Sequence, residues 1–211
     1  LLYSRFFMHA ISYENKKFNL KEPFKGLFTQ GMVCHETYKD DNNNWISPEE
    51  TVTIEGKKYM KKDPSKIVNV GPSESMSKSK KNTIDPENII QSYGADSVRL
   101  FILSDSPPAK DVQWSEEGMS ASFKFINKLW NLNLRIVEKI NDDVEQDASN
   151  KIELFTNKFI KRMENNLASF SYNVVIASLH EMYTFLAKEI DNKYSKKTLS
   201  DNYKKILITL I

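Results

Sequence analysis

From Ser115 to the end of the chain, apolar residues recur at spacings of three, four and seven, the period of amphipathic helices. Met119, Phe123, Ile126, Trp130, Val137 and Ile140 mark one long helix, which opens on the acidic turn Ser115-Glu116-Glu117-Gly118. A second helix is expected over 151–168, with Ile152, Phe155, Phe159 and Met163 on one face, and a third over 173–190. The last starts near Asp201, after a basic linker over 195–200. Polar residues over 141–150 and a turn over 169–171 separate these segments. Helices with one apolar stripe each must bury those stripes against one another, so an antiparallel α-helical bundle is expected. On this period Trp130 and the phenylalanine stripe belong to the bundle core.

The preceding part is built differently. A short amphipathic helix over 1–11 and a polar stretch containing Pro23 come first. A strand-length apolar run follows over 28–33, with Gly31 inside it. Asp40-Asp41-Asn42-Asn43-Asn44 reads as a turn, and Glu55-Gly56-Lys57 sits between two β-prone runs as a hairpin turn. Residues 71–82 contain Pro72, serines and lysines with almost nothing apolar, and are expected as a cationic loop. Asp85-Pro86-Glu87 then starts a helix, with Asp85 at the N-cap and Pro86 in the first turn. That helix ends near Gly94, and a second runs from Ala95 to the stop at Ser106-Pro107-Pro108. Two domains are expected: an α/β part over 1–112 and a helical part over 113–211.

Composition narrows the function classes. With 40% hydrophobic and 27% charged residues the chain is of ordinary globular type. No apolar run reaches the roughly 18–20 residues of a membrane helix. Arg5 and His9 interrupt the first apolar pattern, which excludes a secretory signal there. The lone Cys34 rules out an internal disulfide, has no neighbour at zinc-ligand spacing, and points to a cytoplasmic setting. No protein metal site is expected. The net charge of +2 is too balanced to argue nucleic-acid binding from bulk charge. The sequence begins Leu1-Leu2-Tyr3 and ends in an apolar run, so a piece of a longer chain is expected.

The segment with the clearest chemistry is Met76-Ser77-Lys78-Ser79-Lys80-Lys81-Asn82. A flexible loop of lysines and hydroxyls suits a polyphosphate, because ammonium groups offset charge that grows on leaving oxygens. A loop that closes only on bound substrate makes that contact strongest in the transition state. An arbitrary lysine cluster is more often a solvated surface run.

Met76-Ser77-Lys78-Ser79 followed by Asn82 resembles the KMSKS signature of class I aminoacyl-tRNA synthetases. The match continues through Ile84-Asp85-Pro86, Tyr93-Gly94-Ala95-Asp96 and Arg99, in the order of the leucine, isoleucine, valine and methionine enzymes. Leu1-Leu2-Tyr3-Ser4-Arg5-Phe6-Phe7, Phe28-Thr29-Gln30-Gly31-Met32-Val33, Asp111-Val112-Gln113-Trp114-Ser115-Glu116-Glu117-Gly118 and Asn127-Lys128-Leu129-Trp130 are similar to the leucine-specific branch. The signature's first lysine is Ser75 here, and its glycine before Asn82 is Lys81. The other family signature, HIGH, is absent, so the stretch is not expected to activate leucine alone.

The resemblance implies a Rossmann-like remnant followed by an anticodon-binding-type helical domain, and leucine-tRNA ligase activity with ATP, Mg²⁺, leucine and tRNA(Leu). Lys78 is the implied catalytic residue. Met76, Ser77, Lys78, Ser79 and Lys80 would bind ATP. Gln30 and Gly31 would approach it from the strand end, or else form a core strand whose glycine relieves packing. Lys124, Lys128 and Arg135 would track a tRNA phosphate backbone, or be solvated helix charges. Arg99 is expected to pair with Asp96 or Glu87, Trp114 to cap the domain junction, and His35 to lie on the surface. The full-length protein is expected as a monomer. A methionine-type enzyme and a non-catalytic tRNA-binding module are the alternatives.

Overall fold

A computed structural model describes residues 1–13, 15, 18, 21–140, 150–191 and 194–210. The polar break expected over 141–150 lies outside them but for its last residue. By internal contacts the chain divides into Leu1–Gln30 and Gly31–Ile211, so the expected boundary at 112 falls inside the second unit.

In the first unit α1 spans Leu2–Ser12, close to the expected helix. Arg5 grips Glu22 with two 2.8 Å hydrogen bonds, and His9 Nε2 lies 3.3 Å from the same carboxylate. The Arg5 guanidinium beside it holds the Glu22 carboxyl down at about 2.

The second unit opens with β1 (Val33–Lys39), followed by β2 (Trp45–Ile46), β3 (Thr51–Ile54), β4 (Lys57–Met60), β5 (Asp63–Ile67) and β6 (Asn69–Ser75). The strand expected over 28–33 starts only at Val33. Strands β3, β4 and β5 form an antiparallel meander. Its first turn carries Glu55 at φ 48° and Gly56 at φ 77°, the left-handed pair that matches strand twist. In the other sheet β1 pairs antiparallel with β6 along one edge and with β2 at its far end.

The first half of the expected cationic loop is therefore strand. Glu36 faces Ser73 and Thr37 faces Gly71, so Pro72 is the extra residue of a β-bulge. A bulge residue needs no ladder N–H, which is why proline fits there. Thr37 Oγ1 donates to the Pro72 carbonyl at 3.1 Å.

Next come α2 (Pro86–Tyr93) and α3 (Ala95–Ser104), then β7 (Val112–Gln113), which joins β1 in parallel. The Asp85 carboxylate accepts from Glu87 N at 2.9 Å, as the N-cap reading expects. Phe101, Val112 and Met119 form a small core here, with Trp114 edge-on to Phe101.

The remaining helices are α4 (Glu116–Ile140), α5 (Lys151–Ala168), α6 (Tyr172–Glu189) and α7 (Lys196–Leu210). Helix α7 begins five residues before Asp201, so the expected linker is its first turn. The main hydrophobic core joins Leu132 and Ile136 of α4 to Ile152, Phe159 and Met163 of α5, Met182 and Leu186 of α6, and Tyr203 and Ile206 of α7.

The buried face of α4 corrects the sequence reading. Its buried residues are Met119, Ser122, Phe125, Leu132 and Ile136, whereas Trp130 is 64% exposed. Phe123 and Val137 are also exposed. Helix α4 carries two overlapping apolar stripes rotated by about one residue, and periodicity cannot choose between them. Packing against α6 and α7 selects the stripe of Leu132 and Ile136. Ile136→Ala should therefore cost about 2–5 kcal/mol, and Trp130→Ala no more than about 0.5 kcal/mol. Urea midpoints followed by circular dichroism check the ordering. No described helix is long and apolar enough to cross a membrane.

Candidate functional site

Strand β6 delivers the chain to Met76 at the end of the β1–β6 ladder, where Met76 N donates to Val33 O at 3.2 Å. The signature residues then form a hydrogen-bonded turn. Lys80 N donates to Ser77 Oγ at 3.3 Å, Ser77 Oγ and Ser79 Oγ lie 3.2 Å apart, and Lys81 N donates to Lys78 O at 3.3 Å. Lys78 and Ser79 are exposed, while Met76, Ser77 and Lys80 are half-buried.

The three lysines are not equivalent. Lys80 Nζ is engaged by the Glu74 carboxylate. Lys78 and Lys81 are both exposed and have no ion pair among the described residues, and of these two Lys78 is the one inside the Met76-Ser77-Lys78-Ser79 match. Lys81 sits at φ 52°, in the left-handed region that its side chain disfavours. The strain is met by the turn closing around it. Lys81→Gly should relieve it, offset in part by glycine's greater freedom when unfolded. The expected net gain is up to about 1 kcal/mol, read as a higher melting temperature.

Sequence reasoning missed the residue that fastens this turn. Asn82 is fully buried although its neighbours are exposed. Its Oδ1 accepts from Ser77 N at 2.9 Å. Its Nδ2 donates to His35 O at 3.2 Å and to Glu74 O at 3.1 Å. In the sequence Asn82 counted only as the residue that completes the signature match, and an amide closing a polar run by itself reads as a turn residue.

Gln30 is exposed at the end of the first unit, and Gly31 begins the second. The close approach that Gly31 permits is to the chain's own backbone. A Cβ there would lie 2.0 Å from Lys110 O. Gly31 N donates to Pro108 O, and Met32 N to Asp111 Oδ1, both at 2.8 Å. The chain then continues into β1, whose Cys34 is buried. Burial pushes the Cys34 thiol up, with the Asp111 carboxylate adding to it.

His35 departs from the surface reading. It is half-buried, edge-on to Tyr38 at 5.7 Å, and its Nδ1 is buried without a partner. Burial pushes its imidazole pKa down. It lines a cleft of about 400 Å³ together with Glu36, Lys58, Gln113 and Glu116.

Arg99 pairs with Asp96, one of the two partners expected for it. Lys124, Lys128 and Arg135 are all exposed on α4. Arg135 reaches Asp191 at 3.3 Å, so one of the three cations is already partnered. His9 meets Glu22, and His180 stacks on Phe125 with ring centroids 3.6 Å apart. No cluster of three metal-ligating side chains occurs among the described residues.

Residues 65–115, which contain the turn, α2 and α3, match the family described as tRNA synthetases class I (I, L, M and V). The leucine--tRNA ligase of Rickettsia massiliae (strain Mtu5) is 41% identical over 212 residues, covering 100% of this chain and 25% of that protein. The leucine--tRNA ligase of Rickettsia bellii (strain RML369-C) is 42% identical over 193 residues, covering 92% of this chain and 23% of that protein. This chain thus spans about a quarter of the length of the relatives it matches. Among solved structures, the ternary complex of Agrobacterium radiobacter K84 agnB2 LeuRS with tRNA and LeuAMS superposes with a TM-score of 0.68. The match is 21% identical and covers 100% of this chain and 24% of that one, a likeness of fold.

Proposed function

The chain belongs to the class I tRNA synthetases of the isoleucine, leucine, methionine and valine group, and on that premise we propose that it is a stretch of a leucine--tRNA ligase that activates leucine with ATP and transfers it to tRNA(Leu). The observation that carries this reading is 41% identity to a leucine--tRNA ligase along the whole chain, with Lys78 of the signature turn exposed while Lys80 is paired with Glu74. On this reading residues 1–112 are the last part of a Rossmann-like catalytic core. Residues 113–211 belong to an antiparallel helical domain that meets tRNA.

Attack of the leucine carboxylate on the α-phosphorus of ATP expels pyrophosphate, and negative charge grows on the leaving oxygens. A cation held at that place stabilises the transition state more than the ground state. Lys78 is suited to this, being exposed and without an ion pair among the described residues. The Ser77 and Ser79 hydroxyls and the Met76 backbone would line the phosphate path. Lys80 would join them only by leaving Glu74. Mg²⁺ would arrive with ATP.

Lys124 and Lys128 lie one helical turn apart and would contact tRNA phosphates. Arg135 would do so in exchange for Asp191. On this reading the full-length enzyme would be a cytoplasmic monomer.

Amino-acid-dependent exchange of pyrophosphate into ATP by the full-length protein tests the reading, with leucine, isoleucine, valine and methionine compared. Leucine alone should support exchange. Exchange with methionine instead would reassign the amino acid. A folded protein with no exchange would leave a tRNA-binding module, with Ser75 and Lys81 as the suspected cause.

A further inference from the structure

We propose that Asn82 is a positioning residue for Lys78, and this rests on the activity just proposed. The side chain is fully buried beneath an otherwise exposed turn. Burying an amide is unfavourable unless its polar atoms are satisfied. Here Oδ1 takes the Ser77 amide, while the two Nδ2 hydrogens go to the carbonyls of His35 on β1 and Glu74 on β6. His35 and Glu74 face each other across the ladder. A single side chain thus pins the residue next to Lys78 to both strands of the sheet.

The rest of the turn depends on that pin. Ser77, once fixed, presents the Oγ that accepts Lys80 N, and Lys78 O accepts from the strained Lys81. Among the described residues Lys78 has no side-chain partner to orient it, so its backbone must supply the placement. Small displacements of a catalytic group are costly, on the order of 100-fold for about 1 Å. Asn82 therefore acts on the reaction through Lys78, without contact with the substrate.

The test is a double-mutant cycle in the full-length enzyme, read by leucine-dependent pyrophosphate exchange. Asn82→Ala should lower kcat by about 100-fold, with the KM for leucine retained and the melting temperature lowered by the loss of three buried hydrogen bonds. Introduced alongside Lys78→Ala, it should add less than roughly 3-fold, because the two act as one unit. Asn82→Asp keeps the side-chain volume and the oxygen facing Ser77 N but loses the donors to the two carbonyls. It should therefore lower kcat as well, even if the alanine variant folds poorly. Losses that multiply across the cycle, or Asn82 variants with unchanged kcat, would overturn the proposal while leaving the enzyme reading intact. Absence of exchange by the unsubstituted protein would overturn both.

Discussion

Lys78→Ala in the full-length enzyme should lower kcat for leucine-dependent pyrophosphate exchange by about 100- to 1,000-fold, the scale of losing one preorganised charge-stabilising donor. The KM for leucine should stay where it is, because Lys78 would meet charge on the departing pyrophosphate and not the amino acid. Equal falls in kcat and kcat/KM are the signature of an interaction made in the transition state. Lys80→Ala makes the informative contrast. Its ammonium is committed to Glu74, so its loss should be much smaller. If Lys80→Ala proved the more damaging change, the catalytic charge would belong to Lys80 and the Glu74 pair would be a resting contact.

The second large effect is on stability. Gly31→Ala places a Cβ 2.0 Å from Lys110 O, 2.2 Å from Lys110 C and 2.7 Å from Asp111 N. These are backbone atoms, and the surrounding segment is held by Gly31 N to Pro108 O, Met32 N to Asp111 Oδ1 and Val112 N to Met32 O. No flexible side chain can give way. Overpacking typically costs about 1–3 kcal/mol, and a backbone clash belongs at or above the upper end. Gly26→Ala is the control, since a Cβ there meets nothing within 4 Å. Urea midpoints of the two variants should separate clearly. Equal midpoints would mean that the Lys110–Asp111 loop can move away at little cost.

Much of the local structure was legible in the sequence. The start of α2 was written in Asp85-Pro86, because a carboxylate at the cap and a proline in the first turn satisfy or remove amide donors. The β3–β4 turn was written in Glu55-Gly56, and α5 in the spacing of Ile152, Phe159 and Met163. What was not legible needed a partner from elsewhere in the chain. Pro72 reads as a strand breaker until pairing with β1 makes it the extra residue of a bulge in β6. His35 reads as a surface residue until β1 half-buries it.

The sequence by itself determined the signature turn, its order before two helices, and a helical second half. It could do so because those features depend on residues a few positions apart. Tertiary structure alone decided which stripe of α4 is buried, which backbone Gly31 abuts, and that Asn82 pins the turn to β1 and β6. Each of those is a contact between segments far apart in the chain, which periodicity and local spacing do not encode.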